Sequence, residues 1–131
     1  MKVTLSSSKR IFLGGTCAGE DWRPGLIKQL KIGYFNPVVE DWNEEAQANE
    51  VREREECDYV LYMITPSIAG VYSIFEISDD SNKRPEKAIF CFEGSFDPKM
   101  AKSLKQVGVE IEKNGAKWCK TLAEVAEYVN N

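Results

Sequence analysis

The chain has 131 residues and a mass of 14.8 kDa, the size of one ordinary domain, so a single domain over 1–131 with one sizeable core is expected. Hydrophobic residues at 43% and charged residues at 29% exclude a disordered or fibrous chain. A net charge of -4, from 17 basic and 21 acidic residues, argues against a nucleic-acid polymer as partner and leaves nucleosides and other small molecules open.

Lys9-Arg10-Ile11-Phe12-Leu13 reads as a short buried strand opening into a turn at Gly14-Gly15-Thr16. Trp22 to Lys31 places Leu26, Ile27 and Leu30 on one side of a helix, with Pro24 near its first turn. Tyr34-Phe35 runs into Asn36-Pro37-Val38-Val39, a second strand whose proline predicts an edge position. Asn43 is placed to cap a helix that starts with Glu44 and Glu45 and continues to Glu56. Asp58 to Ile64 and Lys87 to Phe92 are nearly continuous apolar runs, as in strands covered on both faces. Between them lies a helix over about Gly70 to Asp79. Asp97 begins an amphipathic helix with Met100, Ala101, Leu104 and Val107 inward. Ala116 to Cys119 is a fifth strand, and Thr121-Leu122-Ala123-Glu124 matches a capping box before a last helix. Five strands alternating with five helices predict a flavodoxin-like (Rossmann-like) three-layer α/β sandwich. Its five-stranded, mostly parallel sheet should have the order 2-1-3-4-5, with ligands bound beyond the carboxyl ends of the strands.

The longest apolar stretch, Tyr59 to Ile64, is far short of the roughly 20 residues of a spanning helix, so no membrane partner is expected. Nothing before Lys9-Arg10 has the pattern of a secretory signal. Cys17, Cys57, Cys91 and Cys119 are scattered, as expected for reduced thiols in a cytoplasmic protein. Histidine is absent altogether. That excludes histidine-based triads, histidine metal sites and histidine general acid–base chemistry, and leaves carboxylates to carry proton transfer and covalent work.

Glu76 is the most informative carboxylate, because Gly70 to Ile77 is otherwise apolar, aromatic or small. A carboxylate buried there needs hydrogen bonds or a chemical use, whereas a solvated one needs neither. Tyr72, one helical turn earlier, could orient it by a hydrogen bond. Glu50 shares a helix face with Ala46, Glu53 or Arg54, and Cys57 in a segment whose charges are mostly solvated. Asp41-Trp42 offers a carboxylate beside an aromatic plate, for stacking on a base or for packing near the helix cap. Asp58 reads as tying down the turn into its strand. Arg23 and Lys9-Arg10 either meet a phosphate or only solubilise the surface. Gly14-Gly15 is either a plain tight turn or a loop that lets a ligand approach backbone, and it matches neither phosphate-loop fingerprint.

In order along the chain, Ile11-Phe12-Leu13-Gly14-Gly15-Thr16, Trp22-Arg23, Phe35-Asn36-Pro37, Cys57 to Tyr62 and Gly70 to Ile77 resemble the nucleoside 2-deoxyribosyltransferase family. The resemblance is closer to its nucleoside 2-deoxyribosyltransferase-like branch and spans roughly two-thirds of the chain. It implies a flavodoxin-like fold that often forms homo-oligomers and a cofactor-free, metal-free exchange of a 2-deoxyribosyl group between nucleobases. It also implies catalytic roles for Glu76 as nucleophile, in Phe75-Glu76-Ile77, for Glu50 as the acid that meets the base, and for Tyr72 beside them. Phe12, Gly14, Gly15, Trp22, Asp41, Trp42 and Gly70 are the implied substrate-binding positions. Where the transferases carry a base-reading acid two turns before the nucleophile this chain has Gly70, and after Ile77 it has Ser78-Asp79-Asp80-Ser81-Asn82. In some members C-terminal residues complete a neighbouring subunit's site, a role that would fall on Asn130-Asn131.

Three functions follow. The first is transfer of the sugar of a (deoxy)nucleoside or nucleotide to a free nucleobase, and the second is N-glycoside hydrolysis by the same glutamate. The third is an inactive nucleotide-binding or sensing module of the same fold. A flavin-binding or receiver domain fits less well, since receivers need an acidic cluster and a strand-end lysine that have no equivalent here.

Overall fold

The computed structural model describes residues 8–67 and 71–131. In chain order the elements are β1 (Arg10–Gly15), α1 (Arg23–Ile27), β2 (Gly33–Phe35), α2 (Glu44–Glu56), β3 (Tyr59–Ile64), α3 (Val71–Lys83), β4 (Ala88–Phe92), α4 (Pro98–Lys113), β5 (Lys117–Cys119) and α5 (Leu122–Asn130). The strands form one all-parallel sheet in the order β2-β1-β3-β4-β5, the order that the alternation of elements predicts. Parallel strands need helical crossovers, and these cover both faces of the sheet.

The pleat sends alternate residues of each strand into two separate cores. Ile11, Leu13, Leu61, Met63, Ile89 and Cys91 pack with Leu26 of α1 and Val125 and Val129 of α5. Phe12, Val60, Tyr62, Ile64 and Phe90 face the other way, onto Cys57, Ile77 of α3, and Leu104 and Ile111 of α4. Each such aliphatic side chain contributes about 1.5–3 kcal/mol by leaving water, and the sum fixes the three layers. Three helices start on side-chain caps: Asn43 accepts from Ala46 N at 2.8 Å, Asp97 from Lys99 N at 3.0 Å, and Thr121 from Glu124 N at 3.1 Å. Asp58 ties its turn as expected, accepting from the backbone N–H of Arg10 at 2.9 Å.

Several boundaries differ from the expected ones, each for a local reason. Gly14 and Gly15 are not a turn but the last two rungs of β1, paired with Tyr62 and Met63. A Cβ on Gly14 would crowd Leu61 O and the rings of Phe12 and Tyr62, so the glycines let two strands and two rings converge. β2 ends at Phe35, before Asn36-Pro37, because proline lacks the N–H a continuing ladder needs, and it is an edge strand as predicted. α1 stops at Ile27 instead of Lys31. Beyond it the chain turns through Gln29 N to Leu26 O and Leu30 N to Ile27 O, then docks on the end of α5. There Asn130 accepts from Lys31 N at 2.7 Å and donates to Gln29 O at 2.8 Å. Asn130 thus closes its own chain. α3 runs four residues past Asp79, to Lys83.

Gly108 of α4 lies against the indole of Trp118 in β5, and a Cβ there would enter the ring. Gly108→Ala should therefore destabilise the fold by about 2 kcal/mol despite the better helix propensity of alanine. Urea unfolding followed by tryptophan fluorescence checks it; an unchanged midpoint would contradict this packing. Among the described residues no helix is long and apolar enough to cross a membrane.

Candidate active site

A cavity of about 300 Å³ opens at the carboxyl ends of β1 and β2, between the segment after β2 and helices α2 and α3. β1 supplies Phe12, Gly14 and Gly15, the segment after β2 supplies Pro37, Val38, Val39 and Trp42, α2 supplies Glu50, and α3 supplies Tyr72, Ser73 and Glu76. Phe12 stacks on Phe35 with ring centroids 5.6 Å apart and forms an apolar floor. The cavity thus joins apolar walls to two carboxyl groups, which suits a flat heterocycle with a polar edge.

Glu76 is 8% exposed and sits on the inward side of α3, next to Ile77 in the core. Burial pushes its carboxyl up from 4.5 to about 7, the Arg54 guanidinium opposes this, and the charges of Glu50 and Asp80 reinforce it. The half-buried Glu50 is likewise raised by burial and lowered by Arg54. Two carboxyl groups at one cavity therefore hold their protons more tightly than free ones, the environment that general acid–base work at neutral pH requires.

Behind Glu76 lies a charged network. Arg54, one turn after Glu50 on α2, places Nη1 3.4 Å from Glu76 Oε2. Its Nε and Nη2 donate to Asp80 at 3.2 and 3.1 Å, and Tyr62 Oη donates to Asp80 Oδ2 at 2.7 Å. Arg84 Nε lies 3.2 Å from Asp80 Oδ1. Burial and the hydrogen bond to Asp80 push the Tyr62 phenol far above its usual range, so Tyr62 stays a neutral donor. Ser81, also buried, donates to Ser78 O and accepts from Asn114. Within the polar run after Ile77, Asp80 and Ser81 therefore belong to an interior network, while Ser78 and Asn82 stay exposed on the continuing helix.

A family model, nucleoside 2-deoxyribosyltransferase like, matches residues 8–96, which contain every element of this cavity. The chain belongs to that family. No curated protein and no solved structure matches it.

Of the positions the family resemblance implies, this nucleoside 2-deoxyribosyltransferase-like chain brings Glu76, Glu50, Tyr72, Phe12, Gly14, Gly15 and Trp42 around one cavity. Tyr72 differs from expectation in its contacts: it is 70% exposed and stacks on Phe75 at 6.0 Å, while the charged partner of Glu76 is Arg54. Trp22 is not in this cavity. It is buried, donates to Thr16 O at 2.9 Å and borders a second cavity of about 390 Å³ with Glu20, Asp21 and Glu93. Asp41 is exposed and does not line the cavity beside Trp42, and Gly70 lies outside the described residues. Arg23 is no surface cation: it lines the cavity, yet at 1% exposure it donates to Leu13 O and Thr16 O and lies 4.3 Å from the Trp22 ring. Arg10 pairs with Glu53. Among the described residues no group of three or more histidine, cysteine or acidic side chains is placed to hold a metal ion.

Arg54 and Asp80 are the functional candidates that sequence reasoning missed. The available signal was the i, i+4 relation of Glu50 and Arg54, together with the recurrence of Asp80 four residues after Glu76 on the same face of α3.

Proposed function

We propose that this protein cleaves the N-glycosidic bond of (deoxy)nucleosides or nucleotides with Glu76 as nucleophile and passes the sugar to another nucleobase. The observation that carries this reading is the buried Glu76 carboxyl, opening beside Glu50 into an aromatic-walled cavity at the strand ends. An oxygen of ionised Glu76 attacks C1′ of the sugar. The C1′–N bond breaks with its electron pair on the base nitrogen, and Glu50 gives that base a proton. In the second half an acceptor nitrogen attacks C1′ from the vacated side, its proton returns to Glu50, and Glu76 leaves as a carboxylate. Two inversions give overall retention.

Glu50→Gln should lower the rate about 10²–10⁴-fold, because the departing base loses its proton donor. The acid limb of the pH–rate profile should also move to lower pH, since the Glu50 charge is one of the groups holding the Glu76 proton. A limb that stays in place or moves up would contradict the pairing.

The same carboxylate chemistry with water as acceptor makes the protein a hydrolase. That variant is favoured by the open mouth, where Trp42 and Tyr72 are 57% and 70% exposed. Incubation with a panel of deoxynucleosides, ribonucleosides and their 5′-phosphates, with and without a free base, tests both forms. A new nucleoside that needs the added base means transfer, and free sugar without it means hydrolysis. Ligand-induced thermal stabilisation with no product from any donor would replace both with a binding module.

A further inference from the structure

Asp80 is 0% exposed, in a place where an ionised carboxylate persists only if its oxygens are fully met. They are: Tyr62 donates from β3, Arg54 from α2, and Arg84 lies in ion-pair range one turn along the chain. Arg54 turns its Nε–Nη2 edge to Asp80, so only Nη1 faces Glu76. A carboxylate gripped by a whole guanidinium edge is fixed in its plane with both oxygens occupied, whereas one that meets a single N–H keeps an oxygen free. A nucleophile needs the second condition.

We propose that Asp80 is a positioning residue that divides Arg54: it takes the forked edge of the guanidinium and leaves Glu76 one N–H, enough to aim the Glu76 carboxylate and too little to lock it. This rests on the reading of Glu76 as nucleophile. The other charged groups that bear on Glu76 are Glu50 from α2 and Asp80 on its own helix, while Phe12 of β1, Tyr72 and the buried Arg23 of α1 line the cavity around it. Arg54 is thus the cation shared by three acidic side chains of α3, Glu76, Asp79 and Asp80.

The test is a carbon-detected NMR titration of the Glu76 carboxyl in the ligand-free protein, its resonance assigned with Glu76→Gln. Arg54→Gln should raise the titration midpoint by about one pH unit, because the guanidinium that holds the Glu76 carboxyl down is lost. Asp80→Asn should lower it by a similar amount, because the Asp80 charge is lost and the released edge of Arg54 turns to Glu76. Tyr62→Phe keeps every buried charge but frees an oxygen of Asp80, which then draws harder on Arg54, so the midpoint should rise slightly. Loss of the two charges alone already gives Arg54→Gln and Asp80→Asn opposite signs, so the upward shift of Tyr62→Phe, which removes no charge, is the readout that a merely structural role does not produce. An unmoved midpoint in Arg54→Gln, or a Tyr62→Phe midpoint that stays in place or falls, would overturn the proposal. Should Asp80→Asn fail to fold, Arg54→Gln and Tyr62→Phe decide it, and both must move upward.

Product assays on the same proteins separate the two readings. An upward shift in Tyr62→Phe without product from any donor leaves the division of Arg54 standing and removes the nucleophile. Product that depends on Glu76, without that shift, removes the role of Asp80 alone.

Discussion

Glu76→Ala is expected to reduce product formation by about 10³-fold or more, the scale on which loss of a covalent nucleophile acts. The residual rate would come from binding and from Glu50 alone. The same change should not cost stability at alkaline pH. The Glu76 carboxyl titrates at about 7 in the folded protein against an ordinary value of 4.5, so the folded state binds its proton more tightly than the unfolded one. Its contribution to stability is complete below about pH 4.5 and is lost as pH rises through about 7. By pH 8 an ionised Glu76 costs the fold roughly 3 kcal/mol relative to an unperturbed carboxyl. Glu76→Gln, which keeps the shape and removes the titration, should therefore be more stable than the natural sequence at pH 8 and differ less at pH 5. Thermal unfolding of both proteins across this range checks the sign, and an advantage that shrinks as pH rises would contradict the burial of Glu76. Loss of activity with retained or increased stability is the pattern of a group kept for chemistry at the expense of the fold.

Gly15→Ala is the largest expected effect on stability. Gly15 has φ +120°, a conformation unfavourable for any residue with a side chain. An added Cβ would also fall on the backbone of Met63, its partner across the sheet. Met63 is paired on its other side with Cys91 of β4, so it cannot retreat without breaking a second ladder. Strain and overlap together should cost about 3 kcal/mol or more, equivalent to a fall of roughly 10 °C in Tm for a chain of this length. Gly25 supplies the control, since it lies in α1 with nothing within 4 Å of an added Cβ. Gly25→Ala should be neutral or slightly stabilising. Calorimetry on the pair decides it, and equal Tm values would mean that the end of β1 has room to spare. Because Gly15 also lines the cavity, the surviving folded fraction of Gly15→Ala should bind ligand more weakly.

The layer order was legible because β3 and β4 are apolar runs with no polar face, which only central parallel strands tolerate. Glu76 was legible for the converse reason, one carboxylate in an apolar helical stretch. Arg54 was not. α2 carries six glutamates and two arginines with no apolar stripe, so the residue that turns inward is decided by Asp80, 26 positions away. Asp80 was hidden in Ser78 to Asn82, a run that reads as the polar end of a helix until Tyr62 is seen pointing at it from the sheet. Trp22 failed in the opposite direction. An aromatic beside a strand end serves as a ligand plate or as packing, and here Thr16 O takes its N–H while Arg23 covers its ring. The proline in Asn36-Pro37 marked an edge correctly, yet it also ended the strand at Phe35, short of the expected Val39, and released Val38, Val39 and Trp42 to form a cavity wall.

The four cysteines divide sharply by environment. Burial pushes the thiols of Cys57 and Cys119 up to about 11 and that of Cys91 higher still, so none of the three supplies thiolate to a reagent near neutral pH. Cys17 alone is exposed, and it stands on the rim of the cavity that holds Glu76. A maleimide dye added to the native protein should therefore attach at one address. The resulting conjugate carries its fluorophore at the doorway through which any ligand must pass, so occupancy could be followed by light with no change to the amino-acid sequence.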